Sequence, residues 1–494
     1  MTKRSIVTPL LMNRRELLKA SGFAAAGLLL PSWLTGCGSD SEPTSSPQPV
    51  AQLTVDPSKP WWLQNGFEPV PDEIDAVNLR VRGAIPPELN GLYVRNGSNP
   101  QKADSPHWFF GDGMVHGVRL ENGQALSYSN RYVRTPLYEH GFSFGQGGPP
   151  NAGNNQSNVS CVYHAGKLLT SGEVGFPYEI NPADLSTVGV YSFADKLVTS
   201  FTAHPKIDPA TGYLHFFGYW YLPPYLTYHV ADTQGRIILT QQISVRKPTM
   251  IHSFAITESD AIFWELPVVF DLQAALNGDL NPFKWTPSYG ARLGIMPLMG
   301  TGRDIRWVDI EPCYVFHEVN AYRQGDEVVI DVCRLNSVFD GEDLNSAIST
   351  HHRWRVNTSG TQLAFRDETI TDQPIDLPAH DRRFTGRPHR YGWFVHSRPN
   401  PDTPDLGGTA RVDYQTGRLS LWDPGAGRHS NEPFFVPGGA GEGEGWLLTF
   451  VFNRSRNVSD LVILDATNVA AGPVAEIEMP RRVPHGFHGV WIPA

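Results

Sequence analysis

The chain has 494 residues, a formal net charge of −10, 40% hydrophobic and 18% charged residues, which suits one large globular domain or two to three ordinary ones. With 47 Gly, 41 Pro and 11% aromatic residues, the balance favours many short strands and turns over helices. The acidic balance leaves no basic face and argues against nucleic acid as a partner.

Residues 1–37 read as an export signal. Arg14 and Arg15 precede an apolar run too short to span a bilayer as a permanent helix. Followed by Leu17, Leu18 and Lys19, the pair resembles a twin-arginine signal. Leu34-Thr35-Gly36-Cys37 resembles a bacterial lipoprotein cleavage box, which makes Cys37 the lipidated first residue of the mature protein. Residues 38–60, rich in Ser, Pro and Thr, form a flexible tether. The expected location is the periplasmic side of a membrane, the outer one where the source has two.

The body, residues 61–494, carries no further linker. "GYLHFFGYWY", "SDAIFWELPVVF", "DEVVIDVCRL" and "GWLLTFVFN" read as strands, and "NPADL", "DPATG", "VNTSG" and "DYQTG" as turns. Helical periodicity is confined to "FDLQAALNG" (270–278). "ELPVVFDLQAALNG" (265–278) reads either as a segment that dips into a bilayer or as a buried strand followed by a packed helical turn. An all-β propeller of about seven four-stranded blades suits the length, although no clean repeat is visible. Cys161, Cys313 and Cys333 lack CxxC spacing and read as buried apolar residues in preference to a Cys313–Cys333 bridge. "GDGM" (111–114) is too short for a dinucleotide turn, so neither nicotinamide nor flavin is expected.

Inner strands of a propeller run beside one axis, so residues remote in sequence can meet there. Four histidines stand at aromatic strand ends: His204 in "TAHPK", His252 in "MIHSF", His317 in "VFHEVNAY" and His488 in "GFHGVW". Their spacings match no local metal motif, and each alone reads as readily as a structural residue.

Blocks spread over residues 65–494 are similar to the carotenoid cleavage oxygenase family. They include "NGFEPVPDEIDAVNLRVRGAIPPELNGLYVRNGSNP", "HWFFGDGMVHGVRL", "VYHAGKLLTSGE", "TAHPKIDPATGYLHFFGY", "FHEVNAY", "EPFFVPGGAGEGEGWLL" and "HGFHGVWIP". The resemblance implies a seven-bladed propeller with Fe(2+) on its axis, held by His204, His252, His317 and His488. It also implies a small apolar substrate and O2 as reactants, cleavage of a C=C bond into two carbonyls, and acids that fix the outer ring nitrogens of the ligands. Glu173 and Glu442 fall at two of those positions. Asp376 falls at the third, where a longer glutamate is usual; a shorter acid requires an inward backbone, a bridging water or a looser histidine. Val159 stands near the metal where threonine is common.

Relatives that cleave phenolic stilbenes hold the phenol with tyrosine and lysine, whereas this chain has Phe109, Phe110 and Arg134 nearby. That favours an apolar polyene over a stilbene or phenylpropanoid. Rival readings are a polyene isomerase and a non-catalytic periplasmic propeller that binds an apolar ligand. The membrane surface is a partner through the lipid anchor, and oligomeric state is left open.

Overall fold

The computed structural model describes residues 55–494 except 103–104, 141–154, 280, 341–347 and 399–403. The export signal, Cys37 and the tether up to residue 54 lie outside the described residues. Residues 55–60, assigned to the tether by composition, are tied down at Gln64: its Oε1 accepts from Asp56 N at 2.7 Å, and its Nε2 donates to Asp56 O and Lys59 O.

The protein is a seven-bladed β-propeller. Blade one holds Gly91–Ser98, Gly113–Glu121 and Gln124–Tyr132; blade two runs from Ser160–His164 to Thr187–Val190, and blade three from Lys206–Ile207 to Ile237–Ile243. Blade four runs from Ala255–Ile256 to Arg306–Ile310, blade five from Tyr314–Gln324 to Ala364–Thr371, and blade six from Ile375–Ala379 to Arg418–Trp422. Blade seven is built on Arg428–His429, Phe434–Pro437, Gly445–Asn453, Val458–Asp465 and Pro473–Glu478.

Burial follows strand position. Leu214–Tyr219 and Asp260–Glu265 are buried at every residue, because blades pack against both faces of the middle strands. Ile237–Ile243, at the end of its sheet, alternates half-buried and exposed residues, the period expected of a strand with one wet face.

Both ends of the described chain close the ring. Gly489–Pro493 pairs antiparallel with Gly91–Ser98, with Leu92 opposite Ile492 and Val94 opposite Val490. At the other extremes of their sheets, Asp75–Val77 joins blade one and Val81–Gly83 joins blade seven. Gly489–Pro493 thus closes blade one and covers a sheet edge that would otherwise expose unpaired backbone groups.

The run "SDAIFWELPVVF" is not one strand. It divides at Leu266 and Pro267 into Asp260–Glu265 and Val268–Phe270, the latter paired with Phe283–Trp285 in a separate hairpin. The short helix Leu272–Leu276 lies inside that hairpin, with Asp271 accepting from Ala274 N at 3.0 Å. Cys161, Cys313 and Cys333 are free and buried, and burial pushes the Cys313 thiol up to about 12.

Candidate metal centre

The four sequence-selected histidines converge. One ring nitrogen from each of His204, His252, His317 and His488 lies within 4.8 Å of the others. His204 Nε2 is 2.8 Å from His252 Nε2, and the His488 ring centroid is 4.4 Å from that of His204. His204 and His252 precede the first strands of blades three and four, and His488 precedes the closing strand of blade one. His317 lies inside Tyr314–Gln324, where the register shifts between Val315 and Glu318 and again between Glu318 and Asn320. A bulge of this kind re-aims a side chain that regular pairing would direct elsewhere.

Three carboxylates stand behind three of the rings. His317 Nδ1 is 2.7 Å from Asp376 Oδ1, so the shorter acid reaches its histidine directly. The backbone supplies the missing length. A register shift follows Asp376, Leu377 takes a left-handed φ of 50°, and Leu377 N donates back to Asp376 Oδ1 at 2.7 Å. A left-handed non-glycine residue costs about 1–2 kcal/mol. His252 Nδ1 is 2.7 Å from Glu173 Oε2, close in distance but outside hydrogen-bond alignment, while Tyr219 OH donates to Glu173 Oε1 at 2.9 Å.

The third carboxylate is Glu432, not Glu442. His488 Nδ1 lies 2.6 Å from Glu432 Oε1, and Gly489 N donates to Glu432 Oε2 at 3.2 Å. Glu442 sits in the turn between Phe434–Pro437 and Gly445–Asn453, where it accepts the backbone N–H groups of Arg390 and Tyr391 at 2.6 and 3.1 Å. A legible signal existed for Glu432. Like His204 and His252, it immediately precedes the strand that begins its blade's inner side, whereas Glu442 follows that strand. Arg95 was also missed: it is buried, donates to Phe487 O and Asn431 Oδ1 at 2.6 Å each, and lies 3.9 Å from Glu432 Oε2.

Each blade thus supplies one residue to the centre, a histidine from blades one, three, four and five and a carboxylate from blades two, six and seven. The electrostatics match this division. Burial, reinforced by the neighbouring imidazoles, holds His204 well below the ordinary imidazole value. Burial likewise outweighs Glu432 and brings His488 down to about 4. Burial pushes Glu432 and Asp376 up, but His488 beside one and His317 beside the other hold both below the ordinary carboxylate value.

Imidazoles whose Nδ1 faces a carboxylate turn Nε2 toward a common point, the donor set of a divalent transition metal. The 2.8 Å spacing of the His204 and His252 nitrogens matches two adjacent ligands, each about 2.1 Å from a shared ion. The residues fit ferrous iron, for which imidazole is a suitable ligand.

An apolar wall adjoins the cluster. Val159, Ala203 and Phe487 pack together, with Trp108 and Phe109 against them. Val159 O accepts from His488 N at 3.0 Å, so its backbone adjoins that of His488. Phe316 meets the His252 ring edge-on at 5.2 Å, and Phe109 lies 6.4 Å from Phe316. Arg134 is elsewhere. It pairs with Glu73 at 2.8 Å and sits over the Tyr138 ring at an exposed edge.

Fold and site together define a propeller whose axis gathers an all-histidine cluster with the chemistry of a metal centre. The family described as retinal pigment epithelial membrane protein (RPE65) matches residues 67–493. The chain is 33% identical to carotenoid 9,10(9',10')-cleavage dioxygenase 1 of Arabidopsis thaliana over 90% of this chain and 92% of that one. It is 34% identical to the carotenoid cleavage oxygenase of Mycobacterium tuberculosis over 87% and 97%. Among solved structures it is similar to Pseudomonas brassicacearum lignostilbene dioxygenase, with a TM-score of 0.81 and 26% identity over 88% of this chain and 99% of that one. The chain belongs to the carotenoid cleavage oxygenase family, a family of carotenoid and stilbene dioxygenases.

Proposed function

We propose that this chain is a non-haem Fe(II) dioxygenase that cleaves a C=C bond of an apolar polyene, a carotenoid or apocarotenoid, into two carbonyl products. The observation that carries the reading is the four-imidazole cluster set directly against an apolar, aromatic wall. When bound, ferrous iron supplies activation of O2 beside the double bond. Glu173, Asp376 and Glu432 hold three of the rings in orientation. Val159, Phe316 and Phe487 keep water away from the adjoining space and present only apolar surface to the substrate. One O2 is consumed per alkene and one oxygen atom enters each carbonyl, so no external reductant takes part.

Metal analysis combined with oxygen uptake on a panel of carotenoids, apocarotenals and hydroxystilbenes tests this. Iron-dependent uptake on polyenes without added NADH is expected; a strict NADH requirement overturns the chemistry. Uptake on hydroxystilbenes alone moves the substrate to the alternative that the likeness to lignostilbene dioxygenase favours. The ion pairing of Arg134 away from the site supports the polyene.

The same reading makes the enzyme an exported lipoprotein, anchored through Cys37 on the periplasmic side of a membrane. Support comes from an apolar surface around the extra hairpin: Leu222, Leu272 and Leu276 are 44%, 56% and 72% exposed, and Tyr221 stacks on Phe270 at 5.1 Å. Cys37→Ser is expected to shift the protein from the membrane fraction to the soluble one, and unchanged partition overturns the anchor.

A further inference from the structure

Three of the four histidines are closely followed in sequence by a polar residue, and those three residues meet. Lys206 stands two positions after His204, Ser253 one after His252, and Glu318 one after His317. Lys206 Nζ forms an ion pair with Glu318 Oε1, Ser253 Oγ donates to Glu318 Oε2 at 2.5 Å, and Lys206 Nζ lies 3.5 Å from Ser253 Oγ. The Glu318 side chain is 4% exposed and that of Lys206 16%, and Ser253 is fully buried. The Lys206 ammonium also lies 6.0 Å from the Phe254 ring centroid.

The triad belongs to three different blades, and Glu318 is its hub. Register shifts flank Glu318, which itself stays opposite Val332, so one irregular stretch sets the directions of both His317 and Glu318. A buried ion pair with a further hydrogen bond has a narrow geometry. Because each member is within two residues of a ligand, fixing their separations fixes the spacing of the three ligand-bearing backbones. His488 is held by other means: Arg95 on Phe487 O, Asn96 N donating to His488 O at 3.0 Å, and His488 N donating to Val159 O.

We infer that Lys206, Ser253 and Glu318 form a positioning clamp that sets the spacing of His204, His252 and His317 for the metal, an assignment that rests on the metal-site reading above. None of the three is a ligand. Their role is to hold blades three, four and five in register at the axis, so that metal uptake does not have to order them.

The test is Co(II) titration of the metal-free full chain, following the visible spectrum and affinity, alongside thermal unfolding. Glu318→Gln is expected to weaken Co(II) about 10- to 100-fold, the usual loss for an outer partner of a metal ligand, and to alter the spectrum. Ser253→Ala keeps the ion pair and is expected to give a smaller loss in the same direction; it decides the matter if Glu318→Gln does not fold. The double variant Lys206→Met/Glu318→Gln carries no unpaired charge and is expected to regain thermal stability but not affinity or spectrum. Wild-type affinity and spectrum in the single variants, with only a lower melting temperature, overturn the clamp. Full recovery of affinity in the double variant also overturns it, because charge balance alone would then explain the loss. Wild-type protein that takes up neither Fe(II) nor Co(II) overturns the metal-site reading, and the clamp with it.

Discussion

Glu432 and Glu442 belong to the same blade, carry the same functional group, and do different things. One orients His488; the other gathers two backbone N–H groups from the neighbouring blade. Glu432→Gln is expected to lower iron content and O2-dependent turnover about 10- to 100-fold, because an amide no longer holds the imidazole as a carboxylate does. Glu442→Gln is expected to leave both near wild type, since a glutamine oxygen still accepts from Arg390 and Tyr391. Iron per chain and turnover in the two variants check this, and equal losses would return the role to Glu442. The four histidines were legible because they lie at aromatic strand ends within family blocks, whereas Glu173 and Asp376 were legible only from their positions in the family pattern. Glu432 and Glu442 stand in one such block, and position in the family pattern alone placed the role on Glu442. Composition marks a turn, but it does not say which end of a blade the turn occupies.

The closing strand Gly489–Pro493 shows how one element serves both stability and site. Val490 and Ile492 are buried within it, and burying such side chains contributes about 1.5–3 kcal/mol each. A chain ending at His488 leaves the axis-side edge of Gly91–Ser98 unpaired. It is expected to lose several kcal/mol of stability together with its metal, as measured by denaturant unfolding and metal content; an unchanged midpoint would make the strand an appendage. The bulges at His317 and Asp376 could not be read. A bulge is one residue out of register and leaves no mark on composition, yet it is what lets an aspartate do the work of a glutamate here. The extra hairpin was half legible: Pro267 interrupts the apolar run, and its partner Phe283–Trp285 is short.

On the scale of the molecule, the propeller class and a count of about seven blades suited composition, length and turn spacing, whereas the count was fixed only by the family resemblance, because the blades do not repeat in sequence. The interior they enclose carries further buried imidazoles besides the four at the axis. Burial holds His116 at about 3 and His215, His229, His351 and His389 at about 4, against an ordinary value of 6.5. As pH falls below 6.5 the unfolded chain therefore binds protons that the folded chain refuses, so stability declines from there to about pH 4 for four of these rings and to about pH 3 for His116. At pH 5 each accounts for at most about 2 kcal/mol. Urea midpoints measured between about pH 7 and 5 are expected to fall on acidification, and a flat profile would mean that these rings are already protonated in the fold. Because every blade contributes one residue to the centre and His488 follows His204, His252 and His317 by more than a hundred residues in sequence, the complete cluster cannot form until residue 488 has been made. A nascent chain can finish six blades and still lack the fourth imidazole. Which ion the complete set of imidazoles first meets is thus decided by the metal supply where residue 488 docks.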